Sequence, residues 1–80
     1  MGLRVELTAN FPPRRLGGYS RRYRTIWIAD RLPTATRVTT LAHEIAHALL
    51  GHDGHQPPAE EQRADELARR LLDDASKKIL

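Results

Sequence analysis

The sequence has 80 residues, no cysteine and a formal net charge of +3. That excludes a disulfide framework and a thiolate metal site, and it leaves room for one small domain, residues 1–80, with a modest core. No stretch approaches the roughly 20 apolar residues of a membrane span, and the N-terminal MGLRVELTANFPP has no apolar signal core, so a cytoplasmic protein is expected.

Residues 3–9, LRVELTA, alternate apolar and polar and place Leu3, Val5 and Leu7 on one side, the pattern of a strand. FPPRRLGG breaks it, since Pro and Gly punctuate regular structure. Residues 24–29, RTIWIA, are β-branched and aromatic and read as a second strand, closed by DRLP. From about Thr34 to Leu50 the period becomes helical, with Val38, Leu41, Ala42, Ile45 and Leu49 on one face. Gly51 is a natural stop, and HDGHQPP is a loop. A second helix runs from about Ala59 to Lys77, with Ala64, Leu67, Ala68, Leu71, Leu72 and Ala75 as its apolar stripe. Glu60 and Glu61 fall in its first turn, where the helix dipole favours acid. The expected fold is α+β, a small antiparallel or mixed sheet followed by two helices packed on it.

Charge is unevenly spread. Residues 1–40 hold eight arginines against Glu6 and Asp30, whereas residues 41–80 hold more acid than base. The clusters PPRR and YSRRYR suit a nucleic-acid patch or, as the favoured reading, a solvated loop and strand edge.

The chemistry concentrates in TLAHEIAHALLGH. His43 and His47 are one turn apart on a helix, so they project from one face. Two imidazoles at that spacing can grip one Zn²⁺, and Glu44 can take a proton from water activated there. A zinc hydrolase needs a third protein ligand and one open position. Glu61, with Asp65 four residues later orienting a histidine from behind, is one source. Asp53, ten residues after His43, is another, but Leu50 stands where the metzincin turn requires glycine. His52 or His55 is a third, as in YbeY-like endoribonucleases, although the loop GHDGH carries one residue too many and those enzymes lack the equivalent of Glu44.

Three blocks in order, GGYSRRYRTIWIADRL, TLAHEIAHALLGH and EEQRADELARRLL, resemble the ImmA/IrrE family of metallopeptidases, its short phage and actinobacterial members in particular. About residues 17 to 72 are covered. By position, His43 and His47 match that family's histidine ligands, Glu44 its catalytic glutamate, Glu61 its glutamate ligand and Asp65 the residue behind it. The resemblance implies a minimal gluzincin-like fold and cleavage of a protein partner, often a DNA-bound repressor. The interval HDGHQPPAE is short, which keeps Glu60 open as an alternative to Glu61, and LLDDASKKIL replaces the Leu-Met-Pro ending of many members.

The reading that follows is a zinc metallopeptidase in which His43, His47 and Glu61 hold Zn²⁺ and Glu44 is the general base. The strand around Ile26, Trp27 and Ile28 is expected to be the sheet edge along which an extended peptide lies. The rivals are an endoribonuclease using the arginine-rich half, and a binding module with structural zinc closed by His55.

Overall fold

The computed structural model describes residues 2–79. Their order is β1 (Arg4–Thr8), β2 (Gly17–Ser20), β3 (Thr25–Ala29), α1 (Thr34–Leu49) and α2 (Pro58–Ile79). This is an α+β arrangement, with one strand more than the sequence pattern indicates. β2 carries only GGYS and has no alternation to read; it exists because β3 offers it a backbone to pair with.

The sheet order is β1-β3-β2, parallel between β1 and β3 and antiparallel between β2 and β3. The β-branched strand therefore lies in the middle, with Thr25, Ile26, Ile28 and Ala29 all buried. This corrects the expectation for Ile26, Trp27 and Ile28. Both sides of β3 are taken by neighbouring strands, so it offers no edge to a peptide. Of the described strands, β1 and β2 hold the outer positions. β2 and β3 are joined by a tight hairpin in which Arg24 takes a left-handed φ of 49°.

Helix α1 packs across β2 and β3, and α2 packs on α1. The core between the helices is built from small residues: Ala42 and Ala46 of α1 against Ala64 and Ala68 of α2, sealed by Leu50, Leu67, Leu71 and Leu72. Here too the periodicity misplaces the centre of the buried face. Val38 and Leu49 are exposed, and Ala75 of the α2 stripe is exposed as well. The buried face of α1 instead carries Thr40, Ala42, Glu44, Ala46 and His47. Small side chains let the helices approach closely, and the polar groups that share this face are drawn inside with them.

Two arginines of the basic half serve the fold. Arg37 donates from Nε to the Leu32 carbonyl at 3.0 Å and from Nη2 to that of Asp30 at 2.6 Å, tying α1 to the turn that precedes it. Arg31 donates to the Pro13 carbonyl and, at 3.3 Å, to that of Arg15.

Because Ala64 is 0 % exposed against α1, Ala64→Leu is expected to lower stability by about 1–3 kcal/mol through overpacking. Ala75→Leu on the exposed side of the same helix is expected to change it by no more than about 0.5 kcal/mol. Denaturant midpoints measured at constant slope check both.

Candidate active site

The histidine-bearing helix brings its polar residues into the space between β2, α2 and the loop that joins the helices. The resulting cleft of about 510 Å³ is lined by Gly17, Gly18 and Tyr19 on the β2 side, by His43, Glu44 and His47 below, and by His52, His55 and Glu61 opposite, with Arg15 at the rim.

His43 Nε2 and His47 Nε2 lie 3.0 Å apart. Glu61 Oε1 stands 3.4 Å from the first and 3.5 Å from the second. Glu44 is close as well: one donor atom from each of His43, Glu44 and His47 falls within 4.8 Å of the others. Both carboxylates thus approach the imidazole pair, but from different places. Glu44 comes from the same helix and is 8 % exposed, while Glu61 comes from α2 and is half-buried.

Each histidine is held from behind. His43 Nδ1 is 3.0 Å from Asp65 Oδ1. An ionised carboxylate only accepts, so this nitrogen carries the hydrogen and Nε2 keeps its lone pair for the cleft. For His47 the carboxylate acts through an intermediary. His52 Nε2 donates to Glu60 Oε1 at 2.9 Å, which leaves His52 Nδ1 to accept from His47 Nδ1 at 3.0 Å. Nε2 of His47 is then also a bare acceptor facing the cleft.

The placement of His52 follows from the end of α1. Gly51 adopts a left-handed φ of 73°, its N–H meets the Ala48 carbonyl at 3.2 Å, and the His52 N–H meets the His47 carbonyl at 2.9 Å. These are the two bonds of a Schellman ending. They turn the chain back so that His52 is buried over His47.

The other loop groups go elsewhere. Asp53 Oδ1 accepts from the Arg21 N–H at 3.5 Å, across to the β2–β3 hairpin. His55 is exposed at the cleft rim. Glu60 is engaged by His52 and by Arg63 at 3.0 Å, and these two contacts hold its carboxyl below the ordinary range. Reading the sequence missed three contributors: the role of His52 and Glu60 behind His47, the rim position of Arg15, and Gly17. The Gly51-His52 pair was the available signal for the first. A Cβ on Gly17 would come 2.7 Å from Thr40 Cγ2 and 3.3 Å from Glu44 Cγ, so only glycine lets β2 approach α1 this closely.

Burial also sets the charges. Loss of water pushes the Glu44 carboxyl up, and the Glu61 charge adds to this, while His43 and Arg15 oppose it. His47 is pushed down, chiefly by burial, which favours the neutral imidazole.

The model of the Peptidase_M78 family, the IrrE N-terminal-like domain, matches residues 7–78. No curated protein and no solved structure matches the chain.

The raised carboxyl of Glu44 gives a prediction with a definite sign. The folded chain binds this proton more tightly than the unfolded chain, so the associated stability is present below the ordinary value of 4.5 and is lost as pH rises through the raised one. In chelator, Glu44→Gln is expected to raise the unfolding midpoint at pH 7, with the gain shrinking as pH falls toward 4.5. Thermal melts of both proteins across that range test it.

Proposed function

The chain belongs to the IrrE N-terminal-like family of peptidases, and on that premise we propose that it is a zinc metalloendopeptidase that cleaves a protein partner with Glu44 as general base. The observation that carries this is the triangle of His43 Nε2, His47 Nε2 and Glu61 Oε1, with edges of 3.0, 3.4 and 3.5 Å. A tetrahedral zinc site with bonds of about 2.0–2.1 Å has ligand–ligand edges of about 3.3 Å. The donor chemistry agrees. Two acceptor nitrogens facing each other at 3.0 Å repel unless a cation lies near both.

In this reading His43, His47 and Glu61 hold the ion, while Asp65 fixes the tautomer of His43 and the His52–Glu60 pair fixes that of His47. Bound zinc would lower the pKa of water to about 7 and polarise the scissile carbonyl. Glu44, buried beside the imidazoles, accepts the proton of the attacking water and passes it to the departing amine. Its raised pKa suits both halves of that exchange.

The substrate lies along β2. Ala29 N–H donates to the Leu16 carbonyl at 2.8 Å, which makes residues 16, 18 and 20 the bonded partners of β3 and directs the N–H and C=O of Gly17 and Tyr19 outward. An extended peptide can pair there beside Glu44. Arg15 donates from Nε to the Gly17 carbonyl at 3.4 Å, and the peptide would replace that contact. A DNA-binding repressor is the first substrate to test, since the family resemblance implies one.

The test measures metal and cleavage separately. Glu44→Gln is expected to keep its zinc and lose cleavage by about 100-fold or more. Unchanged cleavage would refute Glu44 as the base. Glu61→Ala is expected to lose zinc, and His52→Ala to weaken it by about 10–100-fold, as removal of a supporting partner does. Asp53→Ala and His55→Ala are expected to bind as wild type. Competition with a chromophoric chelator reads all four, and a loss at His55 alone would favour a closed structural site.

A further inference from the structure

We propose that β1 is a self-association edge, pairing antiparallel with β1 of a second copy of this chain in the register that sets Val5 opposite Val5. The outer side of β1 has no partner strand among the described residues. Natural sheets guard such an edge with very short strands, uncompensated charge (Lys above all), Pro, a bulge or a covering element. RVELT has five residues without lysine, proline or bulge, its base and acid, Arg4 and Glu6, offset one another at 3.4 Å, and α1 packs on β2 and β3 instead.

The backbone fixes which residues can take part. Arg4 N–H donates to the Arg24 carbonyl and Asp30 N–H to the Thr8 carbonyl, both at 2.9 Å. Residues 4, 6 and 8 therefore serve β3, and the N–H and C=O of Val5 and Leu7 and the C=O of Leu3 point outward. The same three side chains lie on the helix side of the sheet, since Val5 aligns with Ile26 and Leu7 with Ile28. They are nevertheless 41 %, 51 % and 53 % exposed, because α1 stops short of covering them.

Charge then selects the register. Outward residues can bond only to outward residues, so the strands can shift only in steps of two. With Val5 opposite Val5, Leu3 meets Leu7 and Arg4 meets Glu6 of the other copy, at both ends of the two-fold axis. A shift one way places Arg4 opposite Arg4, and a shift the other way places Glu6 opposite Glu6. Like charges directly opposite are destabilising, and opposite charges are favourable. The central register also centres the pairing on Val5–Val5, which exchanges two N–H···O bonds, and lets the Leu7 N–H of each copy reach the Leu3 carbonyl of the other. It joins the apolar stripes of both copies and brings Leu7 of one beside the groove that Leu3 and the exposed Leu49 of the other both line. The cleft lies at the opposite edge of the sheet, beside β2, and stays open.

The test is sedimentation equilibrium of the full chain over a concentration series. The wild type is expected to pass from 9.1 kDa to twice that mass. Arg4→Glu is expected to weaken association by at least about 10-fold, and the double variant Arg4→Glu/Glu6→Arg to restore it, because the swap recreates both opposite-charge pairs. Val5→Pro removes an N–H that β3 does not use, and it is expected to abolish association while the helical circular dichroism is kept. A wild type that stays monomeric to about 1 mM overturns the proposal. So does association that Arg4→Glu leaves unchanged or that the charge swap fails to restore.

Discussion

Everything at the site depends on how closely α1 and α2 can approach. Ala46 and Ala64 meet with no exposed surface, and a helix pair in contact through alanines sits nearer than one spaced by leucines. That nearness lets the short carboxylates of Glu61 and Asp65, one turn apart on α2, reach two different nitrogens of His43. Gly17 does the same for the sheet, bringing the β2 backbone against Thr40 and Glu44. The cleft is the space left where three elements converge through their smallest residues.

The same convergence has an electrostatic cost. Burying Glu44 removes water from a carboxylate, and the charges of His43 and Arg15 offset this only in part. His43 and His47 are treated differently, each having a carboxylate to fix its ring. One is reached directly through Asp65 and the other through His52, with Glu60 held in turn by Arg63. A cation held by the two facing nitrogens of α1 together with Glu61 of α2 would join the helices, adding a staple to a chain with little core of its own.

The two outer strands of the sheet differ in chemistry. β2 is glycine-rich and lies along the cleft, so its outward backbone groups stand beside Glu44 and the imidazole pair. β1 is apolar on the helix side and carries one base and one acid on the other, an arrangement that complements itself under a two-fold axis. With β3 buried between them, the sheet keeps these surfaces apart. The arginines divide as well: Arg31 and Arg37 bind backbone carbonyls of the connecting segments, and Arg15, 4.7 Å from the Phe11 ring centre and bonded to the Gly17 carbonyl, overlooks the cleft.

By itself the sequence determined the two helices, the strands around Val5 and Ile26, the α+β class, and the presence of His43, Glu44 and His47 on one helix. These rest on local periodicity and spacing, which a chain carries wherever it folds. Family membership was legible for the same reason, in three blocks of fixed order. Only the tertiary structure decided the rest. It set β3 in the centre and β2 at the edge, because strand order is a matter of backbone pairing between segments and leaves no mark on a four-residue strand such as GGYS. It turned the alanine face of α1 inward and left Val38 and Leu49 outside, because shape outweighed hydrophobicity where the helices meet. And it placed Glu61 at the imidazole pair while committing Glu60 to His52, a choice between adjacent glutamates that depends on the rotation of α2 about its axis.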